Sequence, residues 1–446
     1  MTSNLTAISQ SGAVQLSAAQ HKIDPADIDE GAMQVVETLH SAGYEVFLVG
    51  GCVRDLLLNR QPKDFDVASN ATPEQIHELF KRSRIIGRRF RIVHVRHRRE
   101  IIEVSTFRRA LEQEEISTAH TRKDLSGKES AQSSKGVMLR DNAYGSLNDD
   151  VFRRDFTVNA LYYDPLSEIL IDWVNGIQDL EAGVLRIIGD AEQRYREDPG
   201  RILRAVRFCA KLGFTLDEDS SQAIYDTGDM IGELSPARLF DELTKMFLSG
   251  YAEKIWSLFE HYDLTALLFP SVGSERDMIN AAMRSTDLRI KQEKPVTPGF
   301  IYGVLLWSAY QRRTAQHTGD MRPGQAGDTA AAEVIAEQQA NISIPRRFTQ
   351  FIRDVWKLQT RLESRLPKNI EKCLADRRFR AAYDFMLMRC MASELPQELA
   401  DWWTRIQEVD AEERSKMIAA LKSQANPGSN GRNKKRRRRR KNPGNA

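Results

Sequence analysis

The sequence predicts an α+β head, a mixed sheet with helices, followed by an elongated all-α neck and body and a disordered basic tail. Three observations carry this. Strand patterns broken by short helices fill residues 44–107. From Ser235 onward amphipathic helical patterns succeed one another. Asn426–Ala446 has no apolar residue before its last position and cannot build a core. The head is expected over 27–165, the neck over 166–250 and the body over 251–425, with 1–26 a flexible Ser/Ala/Gln-rich lead-in.

At 446 residues the chain can hold two or three domains, and with 28% charged and 41% hydrophobic residues it reads as globular. No apolar run is long enough to span a bilayer. MTSNLTAISQSGAVQ lacks the basic and apolar regions of a secretion signal. Cys52, Cys209, Cys373 and Cys390 lie far apart with no CxxC, which argues against zinc or a disulfide framework and fits a reducing cytoplasm. The net charge of +3 hides an asymmetry. Arg432 and the run Lys434–Lys441 carry nine positive charges, leaving 56 basic against 62 acidic residues elsewhere. Such a tail suits polyanions such as RNA; a solvated tail and a contact for acidic proteins are the alternatives.

In chain order, Asp27–Ala42 reads as a helix with Met33, Val36, Leu39 and His40 near one face and Gly43 as its stop. The organising stretch is YEVFLVGGCVRDLLLNRQPKDFDV (Tyr44–Val67). It reads as a strand (Glu45–Val49), a double glycine, a helix (Cys52–Leu58), a turn and a second strand. Asp64 and Asp66 stand two apart, so both carboxylates share a face while Phe65 points to the core. Paired carboxylates call for a divalent cation, Mg²⁺ or Mn²⁺ given hard oxygen ligands. Gly50 and Gly51 allow close backbone approach ahead of helix amides that hold phosphate, with Arg54 and Lys63 as counter-charges. Together they suggest a site for a nucleoside triphosphate and its metals.

Thr72-Pro73-Glu74 opens a helix to about Lys81, with Thr72 as N-cap. The latter half of IIGRRFRIVHV (Ile85–Val95) and EIIEVSTF (Glu100–Phe107) read as paired strands. Ile102, Val104 and Thr106 alternate with Glu103, which is either a further metal-facing carboxylate or an ordinary exposed strand residue. Arg88, Arg89 and Arg91 form a solvated turn or an RNA or phosphate contact. Ala110–Met138 is polar and reads as a mobile loop. In Tyr195–Phe214, Ile202, Val206, Cys209 and Ala210 make an apolar stripe, while Asp198, Arg201 and Arg204 lie opposite. Pro236–Leu248, Glu253–His261, Pro298–Tyr310, Gln350–Leu362 and Phe379–Cys390 read as helices. RRFTQFIRDVWKL and RRFRAAYDF within this region mix basic and aromatic residues, read chiefly as packing with a charged outer face.

LVGGCVRDLLL followed by KDFDV resembles the signature of polymerase-β-like nucleotidyltransferases that extend RNA 3′ ends: bacterial poly(A) polymerases and class II tRNA CCA-adding enzymes. RRDFTVNAL matches their second motif. The resemblance implies that Arg153 and Arg154 contact phosphate, that Asp155 is an essential carboxylate, and that Asn159 supports the sugar or phosphates. VNGIQDL resembles the hinge motif through Gly176, Asp179 and Leu180. EDPGR resembles the element that reads the incoming base, implying that role for Glu197, Asp198 and Arg201, with Arg204 continuing the pattern. Gly200 within it departs towards a weaker helix. IIGRRFRIVHV resembles a signature separating poly(A) polymerases from CCA-adding relatives.

The resemblance implies template-independent transfer of AMP from ATP to RNA 3′ ends, with pyrophosphate released. Asp64 and Asp66 would hold Mg²⁺, with Asp155 or Glu103 completing the carboxylate set. CCA addition to tRNA is the runner-up, and a nonenzymatic RNA-binding protein is the reading from another class. No His-Asp dipeptide occurs, so an appended HD phosphohydrolase domain is not indicated.

Overall fold

A computed structural model of the chain describes residues 12–87, 91–109, 117–118, 130–132, 138–141, 143–273 and 276–425. The basic tail, Arg88, Arg89 and most of the 110–138 segment lie outside the described residues. Two units emerge: Met1–Ser235 with Ser257–Leu267, and Pro236–Trp256 with Leu268–Ala446.

The first unit is built on a mixed eight-stranded sheet ordered β1-β11-β10-β2-β3-β6-β5-β4. Its strands are β1 (Val14–Leu16), β2 (Val46–Val49), β3 (Asp66–Ser69), β4 (Ser83–Ile86), β5 (Ile92–His97), β6 (Glu100–Thr106), β10 (Tyr162–Asp164) and β11 (Ile169–Asp172). β7 (Ser117–Thr118), β8 (Ser130–Gln132) and β9 (Met138–Asp141) form a separate small sheet, so part of the segment read as a loop is paired strand. The lead-in also differs from expectation. Val14–Leu16 pairs antiparallel with β11, because an edge strand takes its backbone partners from the sheet and needs little apolar patterning of its own.

Around β2 both faces of the sheet are covered, which explains that strand's unbroken apolar run. Leu48, Val67 and Val104 face a core with Val35, Val36 and Leu39 of helix α1 (Glu30–Ser41). Phe47, Val49 and Ala68 face the other way, against Leu147 and Val151 of a helix described below. Asp29 caps α1 by accepting from the amides of Gly31 and Ala32. Its buried face is Ala32, Val35, Val36 and Leu39, one step round from the stripe read in the sequence.

Helix α2 (Gly51–Leu57) follows β2, and α3 (Pro73–Leu79) is capped by Thr72 as expected. Then come α4 (Leu147–Arg153), α5 (Gly176–Ala182), α6 (Ala191–Glu197) and α7 (Gly200–Leu212). The α7 stripe of Ile202, Val206, Cys209 and Ala210 is buried. From Pro236 onward the helical expectations stand with shifted ends, except that Pro298–Tyr310 divides into Pro298–Leu305 and Trp307–His317. Among the described residues no helix is long and apolar enough to cross a membrane.

Gly176 carries a local demand. A Cβ there would sit 2.3 Å from the Thr157 carbonyl oxygen, and backbone cannot swing aside as a side chain can. The same contact is fastened by Thr157 Oγ1, which donates to Asp179 at 2.7 Å. Gly176→Ala is therefore expected to destabilise the first unit by roughly 2–3 kcal/mol. That lowers its melting temperature by roughly 5–10 °C in differential scanning fluorimetry; an unchanged melting curve would mean that α5 shifts freely.

Candidate active site

The double glycine ends β2 in a conformation only glycine adopts comfortably: Gly50 has φ +82° and ψ −134°. The turn brings the chain beside the first residue of β3, where Val49 pairs with Asp66. A Cβ on Gly50 would lie 3.6 Å from Asp66 Oδ2 and 3.9 Å from Arg154 Nη1. The glycine turn, one carboxylate and one guanidinium thus converge at one end of the sheet.

β3 runs parallel to β6 with Asp66 opposite Glu103, so pleating puts both side chains on one face. Asp64 lies just before the strand rather than in it, exposed, and Phe65 between them is buried. Burial, then the charge of Glu103, raises the Asp66 carboxyl to about 6; Arg154 opposes this and Asp64 adds to it. Asp64, Asp66 and Glu103 therefore form one interacting acidic group. Asp155 Oδ2 faces Arg204 Nε at 3.2 Å, and its Oδ1 accepts from the Phe156 amide at 2.8 Å. Of the two residues read as completing the carboxylate set, the structure brings Glu103 to Asp66.

The donor chemistry fits a hard divalent cation, since the crowding of negative charge that raises the proton affinity of Asp66 is relieved by positive charge. Among the described residues no three acidic, His or Cys side chains already enclose a common point. Asp64 is exposed and Glu103 half-exposed, so their rotamers can adjust to an ion.

The arginines divide by burial. Arg154, at the end of α4, donates through Nη2 to Asp150 at 2.8 Å and through Nε to the Tyr162 hydroxyl at 2.6 Å. Burial works against its charge, but Tyr162 and Asp150 outweigh it and keep Arg154 firmly protonated. This leaves Nη1 on the Gly50 side. Arg54 behaves differently from a cleft residue. It is 2% exposed, with Nη2 on Asp55 at 2.6 Å, Nη1 on Asn159 Oδ1 at 2.6 Å and its guanidinium over the Phe208 ring. It buttresses the turn from behind, 3.5 Å from where a Gly51 Cβ would be. Asn159 is thereby committed to Arg54 through its oxygen. Lys63 is exposed, and Arg91 pairs with Glu74.

In EDPGR, the Asp198 carboxylate is buried and accepts from the amide of Gly200, the first residue of α7, at 3.1 Å. Arg201 Nη1 donates to the Arg194 carbonyl at 2.8 Å and to Glu197 at 3.1 Å. Its Nε is buried with no acceptor.

Two residues escaped sequence reasoning. His94 Nε2 lies 3.1 Å from Glu103 Oε1, directly across the β5–β6 pair. Arg194 Nη2 donates to the carbonyls of both Arg153 and Arg154, at 2.6 and 2.7 Å, while Nη1 holds Glu197 at 2.7 Å. One side chain thus ties the RRD segment to the EDPGR segment. If the chain has the activity that the resemblance implies, Arg194→Gln is expected to lower single-turnover AMP incorporation on the order of 10²-fold and to narrow the preference for ATP over CTP. An unchanged ATP/CTP ratio would show that the two segments are positioned independently.

A strand–glycine turn–helix facing paired carboxylates on a mixed sheet, ahead of an all-helical region, defines a polymerase-β-like nucleotidyltransferase. The family description "Poly A polymerase head domain" matches residues 46–186, "Probable RNA and SrmB- binding site of polymerase A" matches 213–275, and "Polymerase A arginine-rich C-terminus" matches 319–442. Poly(A) polymerase I of Escherichia coli O6:H1 is 38% identical over 438 residues, covering 95% of this chain and 92% of that protein. The Haemophilus influenzae poly(A) polymerase I is 40% identical, covering 90% of each. The CCA-adding enzyme of Oceanobacillus iheyensis is also 40% identical, but over 50% of this chain and 51% of that protein. In fold, the Thermotoga maritima CCA-adding enzyme complexed with tRNA superposes with a TM-score of 0.60 at 19% identity, covering 88% of this chain and 85% of that one. The chain belongs to the bacterial poly(A) polymerase family.

Proposed function

We infer that this chain is a polynucleotide adenylyltransferase, extending RNA 3′ ends with AMP from ATP and releasing pyrophosphate. The observation that carries this is the Asp66–Glu103 pairing beside Gly50 and Arg154, in a chain matched along nearly its whole length by poly(A) polymerases. Asp64, Asp66 and Glu103 would hold Mg²⁺ or Mn²⁺, which when bound activates the RNA 3′-hydroxyl and neutralises charge on the leaving pyrophosphate. Gly50, Gly51 and the first amides of α2 would lie against the triphosphate, since nothing larger than hydrogen separates them from it. Arg154 supplies a fixed positive charge next to Asp66, Arg153 a second, while Arg54 and Asn159 keep the turn in shape. Arg201 offers its unpaired Nε to the incoming base, and Asp198 and Glu197 fix the helix end that presents it. Asp155 orients Arg204 on the next turn of the same helix.

CCA addition is the second reading, because CCA-adding enzymes match half of the chain at comparable identity. Incorporation of each labelled nucleotide onto a generic oligonucleotide and onto a tRNA lacking CCA separates the two. Long A-only extension of the generic RNA is expected. Two C additions and one A confined to the tRNA would replace this reading by CCA addition, and no incorporation on either would favour a nonenzymatic RNA binder.

A further inference from the structure

In the second unit, a cavity of ≈ 210 Å³ opens among helices α8 (Arg276–Lys291), α9 (Pro298–Leu305), α10 (Arg346–Ser364) and α11 (Phe379–Met391). Arg289, Arg377, Arg378 and Arg380 line it, and Asp384 is its one acidic wall residue. The guanidiniums outnumber their counter-ions. Arg380 and Arg289 share Asp384, at 2.9 and 3.5 Å, while Arg377 and Arg378 share Asp354, each at a loose 3.7 Å. Two positive charges are left in surplus around one concavity. The Arg378 guanidinium lies over the Phe351 ring, 4.8 Å from its centroid, and its buried Nε, 3.7 Å from Asp354, makes no hydrogen bond.

A solvated basic helix face has exposed arginines but neither a cavity nor a buried donor in search of an acceptor. The walls also say which anion. Phe300, Pro295 and Ala381 give the cavity an apolar side as well. Bare phosphate would gain nothing from that side, whereas a nucleotide places its base there and its phosphate among the guanidiniums. The volume suits one base with its backbone at the mouth, not a folded element.

We propose that this cavity is an accessory RNA subsite that takes one nucleotide of single-stranded RNA, phosphate against Arg377, Arg380 and Arg289 and base against Phe300. It rests on the reading that the chain acts on RNA, and it lies in the helical unit, whereas the carboxylates and glycine turn belong to the first unit.

The test is fluorescence anisotropy of a short labelled single-stranded oligonucleotide with the full chain, across a salt series. Arg377 and Arg380 are largely exposed, so Arg377→Ala/Arg380→Ala leaves the packing intact. It should weaken binding about tenfold at low salt and reduce the salt slope by about 0.7, the share of one phosphate contact on a single strand. Ala381→Trp fills the cavity without touching charge and should weaken binding comparably. Thr297→Tyr does so from a different helix, whose N-cap Thr297 makes no side-chain cap bond, and serves if Ala381→Trp misfolds. AMP incorporation at saturating RNA should persist in all three, which separates failure of the subsite from failure of the polymerase reading. Unchanged binding in the arginine pair would overturn the proposal. So would weakening in the arginine pair with none in the cavity-filling variants, which would reduce the site to surface charge, or displacement of the oligonucleotide by inorganic phosphate beyond its ionic-strength effect.

Discussion

Asp66→Asn should abolish AMP incorporation, by on the order of 10³-fold or more, and yet make the protein harder to melt. The two effects have one origin. Burial and the charges of Glu103 and Asp64 raise this carboxyl to about 6 in the folded chain, against about 3.9 when unfolded. The folded state therefore binds this proton more tightly, and the stability it contributes is fully present below about pH 4 and lost as pH rises through about 6. At pH 8 the ionised group costs the fold on the order of 2–3 kcal/mol, which an amide removes. Thermal melts at pH 5 and 8 with and without Mg²⁺ check this. The wild type should be raised by Mg²⁺ chiefly at pH 8, and Asp66→Asn should melt higher than wild type at pH 8 and respond little to the ion. A variant that melts lower, or keeps incorporating AMP, would remove Asp66 from the centre of the site.

Arg154→Met should be the opposite case, costly to fold and function together. Asp150 is 4% exposed and accepts from the Arg108 amide, Arg154 and the Tyr162 hydroxyl. Burial pushes its carboxyl up, but Arg154 and then Tyr162 bring it below the ordinary range. Removing the guanidinium strands a buried carboxylate and should cost about 3–5 kcal/mol, lowering the melting temperature by on the order of 10 °C. Arg154→Met/Asp150→Asn should regain much of the stability, because no uncompensated charge remains, and none of the activity, because the charge beside Gly50 and Asp66 is still gone. Activity returning with stability would make Arg154 purely structural.

The local grammar of the head was readable: the Thr72 cap, the alternation of Ile102, Val104 and Thr106, and the glycine turn before α2 are all short-range patterns. Glu103 could be assigned a face but not a neighbour, because the register of two strands far apart in sequence is set by the whole sheet. Asp155 had a motif to mark it, but its partner Arg204, on a helix far along the chain, could be supplied only by the fold. Arg54 and Lys63 looked equally available to phosphate, and only three-dimensional packing buries one and exposes the other. Arg194 had no signal at all, since donation to two backbone carbonyls leaves no mark in side-chain spacing. The edge strand Val14–Leu16 was invisible for the related reason that its partners are supplied by β11.

The parallel pairing of β3 with β6 also bears on how this protein reaches its native state. Asp66 and Glu103 meet only after the intervening α3, β4 and β5 have folded back, since parallel neighbours cannot be joined by a tight turn. Closing that long loop precedes any reward from the contact, so the β3–β6 junction belongs among the slow, late events of folding. A nascent chain or collapsed intermediate would hold the glycine turn and one aspartate strand without the opposing glutamate. Affinity for divalent cations would then appear at the end of refolding, and a metal-binding signal followed in stopped flow would time completion of the head.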